Sequence, residues 1–397
     1  MLRLRPLQLR LERRPLRSLP VHWQRTHLTL GSLQVQAASS TTSTIQTRFS
    51  LTSNWNLPVR SFSSSSPKND DQEEESQRIP KENDSSTSDP PILTWVDTYL
   101  PESTKPYARL ARIDKPIGTW LLVWPCFWST ALASASQQHM IPDPFLCMLF
   151  GVGAITMRGA GCTINDLWDR DVDQKVARTK TRPLAGGDVT VSQAIGFLAA
   201  QLSVGLGVLV SLPHTWYCFQ WGTASLPLVA MYPLTKRFLP WPQMFLGVTI
   251  NWGAWMGWAA THGSMDWSIV PFLYGSGVTW TLVYDTIYAH QDKADDAKLG
   301  LHSTALAFGE NDQQQKMVLH GLAALTWLQW MAVGYNASDF LAVPYYQLGV
   351  TTAYAHLVWQ IHTADFDNPH NLAARFRSNS AVGALIFGSI AAGGYFQ

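Results

Sequence analysis

Asn165-Asp166-Leu167-Trp168-Asp169-Arg170-Asp171-Val172-Asp173 follows directly on the apolar run 144–163. Acids gathered at the mouth of a membrane helix are costly unless a cation sits among them, so such a cluster reads as a functional site. As a helix end, the stretch would place Asp166, Asp169 and Asp173 at i, i+3 and i+7, facing one way, with Asn165 beside them and Asp171 pointing elsewhere. A second acidic stretch follows the apolar run 268–289. There Asp285, Asp292 and Asp296 would share one helical face (i, i+7, i+11), with Tyr288 between them and Asp295 off the stripe. Cations come next in both places: Lys175, Arg178, Lys180 and Arg182 after the first, Lys293 and Lys298 after the second. Mg²⁺ prefers carboxylate oxygens plus substrate phosphates to an all-protein cage. Acids followed by cations therefore suit a phosphorylated substrate, the metal bridging its oxygens and Arg or Lys neutralising the rest.

Outward from these stretches, apolar segments long enough to cross a bilayer recur at 117–138, 144–163, 192–211, 214–233, 242–261, 268–289, 317–335, 342–362 and 379–396. The connections alternate in charge. Lys105 to Lys115, Arg170 to Arg182, Lys236-Arg237, Lys293 to Lys316 and Arg375 with Arg377 lie on one side. The opposite connections, 139–143, 212–214, 262–267 and 336–341, contain no Lys or Arg. This charge bias predicts an all-α integral membrane protein of nine transmembrane helices, with both acid clusters on the basic side. The first acids, Asp166 and Asp285, follow the second and sixth spans, which suggests a pseudo-repeat with the two stripes facing each other.

Only 14% of the 397 residues are charged, against roughly 25% in soluble domains. The formal net charge of +1 lacks the basic excess of a nucleic-acid binder. Cys126, Cys147, Cys162 and Cys218 have no metal or disulfide spacing and read as buried small hydrophobes. Residues 1–60 hold nine Arg, no Lys and the single acid Glu12, the composition of a mitochondrial transit peptide. Residues 61–104 are polar and of low complexity, the composition of a disordered linker, although Thr94 to Leu110 can form a short amphipathic helix before the membrane domain, 105–397.

The two motifs, Asn165-Asp166-x-x-Asp169-x-x-x-Asp173 and Asp292-x-x-x-Asp296 after Asp285-x-x-Tyr288, resemble those of the UbiA-type intramembrane prenyltransferases. The likeness extends to Arg112-x-Asp114-Lys115-Pro116-Ile117-Gly118, Thr181-Arg182-Pro183-Leu184, Tyr232-Pro233-x-x-Lys236-Arg237, and Asn368-Pro369 with Phe376 and Asn379. The segment from Arg112 to Pro125 is most like the branch that prenylates 4-hydroxybenzoate in ubiquinone synthesis. One position departs: His302 stands where the family often has Lys.

The resemblance implies nine helices around a central cavity and a reaction between polyprenyl diphosphate and 4-hydroxybenzoate. It implies Asp166, Asp169, Asp173, Asp292 and Asp296 as Mg²⁺ ligands, with Asn165 assisting and Asp285 near the reacting ring. Lys175, Arg178, Arg182 and Lys236 become candidates for the diphosphate, Arg112 for the benzoate carboxylate, and Tyr288 for orienting substrate. It further implies the mitochondrial inner membrane, an active site facing the matrix, and other quinone-synthesis enzymes as protein partners. The competing acceptors are homogentisate, a naphthoate or haem. The competing class is a cation transporter, against which stands the lack of an acidic ring at the opposite mouth.

Overall fold

A computed structural model describes residues 94–175 and 179–397; the predicted transit peptide, the predicted linker up to residue 93, and Arg178 lie outside them. Every regular element among the described residues is helical. Two short helices come first, α1 (Trp95–Tyr99) and α2 (Lys105–Leu110). The rods α3 (Ile117–Ser136) and α4 (Pro144–Asp173) follow, then the single turn α5 (Pro183–Gly186). Next come α6 (Val191–Ser211), α7 (Thr215–Thr235), α8 (Pro242–Ile250), α9 (Gly253–His262) and α10 (Val270–Ala289). A 3-10 turn (His290–Asp292) leads into the short α11 (Lys293–Leu299) and α12 (Thr304–Ala307). The chain ends in the rods α13 (Asp312–Asn336), α14 (Val343–Thr363) and α15 (Pro369–Tyr395). Counting α8 and α9 as one broken rod, the described residues hold the nine long elements that the sequence predicts.

Local chemistry sets the starts. Asp143 accepts from Phe145 N at 2.9 Å with Pro144 as the first helical residue of α4. Thr190 and Gln193 form a capping box on α6, Asn311 caps α13 and Asn368 caps α15. A side-chain oxygen there satisfies amides that a helix start leaves unpaired.

Three rods are long and apolar enough to cross a membrane on length and hydropathy alone: α4, α6 and α13. α6 is turned inside out relative to a soluble helix. It buries only Ala194 and Gln201 and exposes Ile195, Leu202, Leu206 and Val210, a surface that suits lipid rather than water. Inside, Trp128, Trp280, Trp330, Tyr284 and Tyr346 are fully buried. Polar tips find partners in four of the five, with Trp128 Nε1 donating to the Gly383 carbonyl at 2.8 Å and Trp280 Nε1 to Asn379 Oδ1 at 2.9 Å, while Trp330 Nε1 has none among the described residues.

Particular contacts fix the bounds of three segments. Residues 94–104 of the predicted linker are partly helical, because Thr94 and Asp97 cap α1 reciprocally and Arg109 of α2 pairs with Asp97. The Thr94 backbone and hydroxyl, then Arg109, hold the Asp97 carboxyl down at about 2, so it stays charged in that pair. The predicted fifth span breaks at Asn251-Trp252. There the Asn251 amide donates to the Gly247 carbonyl (2.8 Å) and to Thr281 Oγ1 (2.9 Å), packing against Gly277. The second span runs beyond residue 163 to Asp173, so the first acid cluster forms the last turns of α4, the helix end read from its spacing.

Candidate active site

Because α4 continues through the cluster, its acids stand as the predicted stripe. Asp166 is 1% exposed and Asp173 is buried, while Asp171 points out to pair with Arg170. Charges so deeply placed require partners. Arg112 Nη2 lies 2.8 and 2.9 Å from the two Asp166 oxygens. Arg182 Nη1 bridges Asp166 (3.2 Å) and Asp173 (2.7 Å). Arg237 Nη2 stands 3.6 Å from Asp169. Arg112 reaches its place from a left-handed backbone (φ 56) just past the end of α2. Its amide donates to the Arg109 carbonyl and that of Ile113 to Ala108, both at 3.0 Å. Such a turn favours glycine; here an arginine occupies it, and its side chain is thereby aimed at Asp166.

The second cluster does not form the single face expected of it. α10 ends at Ala289, the 3-10 turn intervenes, and α11 is a separate helix. A one-residue tightening of the chain rotates everything that follows, so Asp295 joins Asp292 and Asp296 on the inner side instead of falling off the stripe. Asp285 stays behind on α10, under the electrostatic influence of Lys236 and Asp292.

The clusters meet across one cavity of about 240 Å³. Asn165, Asp169 and Asp173 line one wall, Asp292, Asp295 and Asp296 another, and Arg182, Lys236, Arg237 and Tyr232 stand between them. Lys236 Nζ is 3.5 Å from Asp296 Oδ1. The backbone fixes this pairing as well, since His302 N donates to the Lys236 carbonyl at 2.9 Å.

Several predicted residues lie apart from the cavity. Lys175 is exposed, and Tyr288 packs on Phe376 with ring centroids 4.4 Å apart. His302 is exposed, and Lys298 reaches out to Asp295 at 3.6 Å.

Two residues escaped the sequence reading. Arg237 was quoted in a motif but given no role. Arg158 carried a plainer signal, a lone arginine inside an apolar span. It shares the face of α4 with Cys162, Asp166 and Asp169, two turns deeper than Asp166, or about 12 Å. Its guanidinium covers Gly118 at the start of α3, where a Cβ would meet it at 2.1 Å. Cys162 Sγ is 3.8 Å from its Nη1, and no carboxylate among the described residues pairs with it.

Among the described residues no three His, Cys, Asp or Glu side chains form a ready-made metal cage. The donors facing the cavity are carboxylate and amide oxygens, the hard ligands that suit Mg²⁺, with cations interleaved. That set fits an ion whose coordination is completed by the oxygens of a bound phosphate ester.

The sequence profile of the UbiA prenyltransferase family matches residues 122–392. The chain is 50% identical over 321 residues to "4-hydroxybenzoate polyprenyltransferase, mitochondrial" of Arabidopsis thaliana, covering 80% of this chain and 76% of the relative. It is 49% identical over 298 residues to the human protein of the same description, covering 75% and 77%. Among solved structures, a UbiA homolog from Aeropyrum pernix superposes with a TM-score of 0.56 at 19% identity, over 68% of this chain and 96% of that one. A UbiA homolog from Archaeoglobus fulgidus bound to Cd²⁺ superposes with a TM-score of 0.50, also at 19% identity, over 72% and 98%.

Proposed function

The chain belongs to the UbiA prenyltransferase family, and from that premise we propose how its residues carry out the transfer. It is an enzyme that moves a polyprenyl chain from polyprenyl diphosphate to the ring of 4-hydroxybenzoate, a step of ubiquinone biosynthesis. The observation that carries the residue assignment is the single cavity in which both acid clusters meet three cations.

Asp169, Asp173, Asp292 and Asp296 hold Mg²⁺ there, with Asn165 assisting. Asp166 anchors Arg112 and Arg182 behind them. Asp295 faces the same space. A divalent metal on a fold relative, the Cd²⁺ of the archaeal structure, supports this. When bound, the ion supplies neutralisation of the charge that builds on the departing diphosphate. Arg182, Lys236 and Arg237 share that task, being already in place when the charge develops. Arg178 and Lys175 remain further candidates for the diphosphate, on the sequence alone.

The allylic C–O bond breaks with its electron pair leaving on the diphosphate. A ring carbon ortho to the hydroxyl forms the new C–C bond from its π electrons, and the ring proton leaves to a base. Asp285, on α10 within electrostatic reach of Lys236 and Asp292, takes that proton. The apolar, aromatic interior keeps water from quenching the allylic cation. The benzoate carboxylate goes to Arg158 rather than to Arg112, whose guanidinium is committed to Asp166. No carboxylate among the described residues pairs with Arg158 inside its span, and an arginine binds a carboxylate with two parallel N–H donors. Tyr288 acts through Phe376, as part of the wall.

The protein is multi-pass in the mitochondrial inner membrane, with the cavity opening to the matrix, because the basic connections all lie at the acid-bearing end. The prenylated product stays in the bilayer, where contact with other quinone-synthesis enzymes gives it to the next step.

Membranes holding the expressed protein test the reading directly. Labelled 4-hydroxybenzoate and a polyprenyl diphosphate give a labelled lipid with Mg²⁺ and none with EDTA. Asp166→Asn abolishes the product while the protein's membrane level is unchanged. Product that persists in EDTA, or in that variant, sinks the assignment of the first cluster.

A further inference from the structure

The second acid cluster does not ride on a rod, so something else holds it opposite the first. Asp292 closes the 3-10 turn, and Asp295 and Asp296 lie in α11, seven residues long. Segments so short are not stable alone. One buried network secures this one. The His290 ring lies flat on Phe366, with centroids 3.9 Å apart and planes 7° apart. Its Nδ1 faces the Thr286 carbonyl at 2.9 Å and its Nε2 faces Gln315 Oε1, so a proton on either nitrogen meets an acceptor.

Gln315 is fully buried in the first turns of α13. Its amide is fixed in orientation, because Nε2 donates to the carbonyls of Ala305 (3.1 Å) and Gly309 (3.0 Å), which would face an oxygen if the group turned over. The same loop is pinned elsewhere. The Thr286 and Thr304 hydroxyls are 2.7 Å apart, Thr304 N donates to Gln243 Oε1 at 2.9 Å, and Gln291 Nε2 donates to the Pro369 carbonyl at 3.3 Å. Neither His290 nor Gln315 lines the cavity.

We propose that Gln315, acting through His290, positions the second acid cluster and thereby sets the enzyme's affinity for metal and diphosphate together. Both are positioning residues. The inference rests on the assignment of Asp292 and Asp296 to the metal made above. A group that orients a metal ligand from behind changes affinity more than it changes the chemical step, and its loss costs about tenfold or more.

Two variants of the full chain in membranes test it, with 4-hydroxybenzoate and geranyl diphosphate as probes across a Mg²⁺ titration. Gln315→Glu keeps the size and the acceptor facing His290 but loses both donors. His290→Phe keeps the stack on Phe366 and loses both nitrogen contacts. Each raises the half-saturating Mg²⁺ and the diphosphate KM by about tenfold, with the 4-hydroxybenzoate KM unmoved and kcat recovered at high Mg²⁺. Loss of kcat and melting temperature with both KM values unmoved overturns the proposal, as do wild-type kinetics in both variants. Should neither variant accumulate, hydrogen exchange on the wild type decides. Protection of 290–299 that rises together with that of 312–319 on adding Mg²⁺ and geranyl diphosphate supports the coupling, and independent exchange overturns it. Asp292→Asn in the same assay separates the two claims, since unchanged turnover there discards the metal assignment itself.

Discussion

In the mechanism proposed above, Arg158 is the residue on which acceptor recognition turns. A charged side chain two turns inside an apolar span is retained against a real insertion cost, put at about 2.5–3.5 kcal/mol on translocon scales. Its shelf is Gly118, where any Cβ would collide with the guanidinium. A charge-assisted hydrogen bond contributes about 1.5–3 kcal/mol, and a factor of ten corresponds to about 1.4 kcal/mol. Arg158→Gln therefore raises the KM for 4-hydroxybenzoate roughly ten- to hundredfold, with the KM for polyprenyl diphosphate unchanged. Arg158→Lys recovers part of the loss. An unmoved acceptor KM in the Gln variant would reduce Arg158 to packing on Gly118. Arg112→Gln has the opposite signature, because it frees Asp166 and so weakens diphosphate binding first. The acids of the first cluster were legible because a helix converts spacing directly into facing, and α4 is unbroken through Asp173. The roles of Arg112 and Arg158 were not. Both are arginines near the start of α3, and only the left-handed turn at Arg112 commits one of them to Asp166.

Helix crossings depend on small residues where lipid gives no hydrophobic drive to associate. α9 meets α3 at Gly257, where a Cβ would stand 2.6 Å from the Cys126 carbonyl oxygen and 3.0 Å from the Thr130 amide nitrogen. Those are backbone atoms and cannot step aside. Gly257→Ala is expected to destabilise by about 1–3 kcal/mol, read as a lowered melting temperature in detergent. Gly388→Ala on α15 is the control, since nothing stands within 4 Å of its Cβ. There the gain in helix propensity, up to about 1 kcal/mol, leaves stability equal or higher. Equal losses in both would remove the steric argument. The same level explains which elements the sequence revealed. The nine rods could be read from apolar length and from caps such as Asp143-Pro144 and Asn368-Pro369. The two breaks could not. Asn251 ends α8 by bonding to Thr281, thirty positions on, and the His290–Asp292 turn is held by Gln315 and Phe366. Residues 285–299 contain no Gly or Pro to announce that turn, so a continuous helix was the natural local reading and tertiary contacts overrode it.

The two ends of the whole molecule differ in a way that fixes how it sits in a bilayer. At the acid-bearing end the connections carry Arg170, Lys175, Lys236, Arg237, Lys293, Lys298, Arg375 and Arg377; at the other, 139–143, 212–214, 262–267 and 336–341 carry no Lys or Arg. Basic loops stay on the side from which a protein inserts. In the proposed inner-membrane orientation the acid-bearing end faces the matrix, whose negative potential also favours its basic connections. Polyprenyl diphosphate then meets the cavity from the matrix while its chain lies in lipid. The expectation can be checked with single cysteines in a background whose four native cysteines are replaced. Met140→Cys sits in a connection without Lys or Arg and is 64% exposed, and Lys175→Cys sits exposed at the acid-bearing end. In intact mitoplasts an impermeant maleimide labels the first and spares the second, and detergent makes both reactive. Neither position bears on the fold, as both side chains point into open space, so reversed labelling would overturn the orientation while leaving the helices and the site as described. It would also move the source of diphosphate to the intermembrane side, because the cavity lies where the two acid clusters meet.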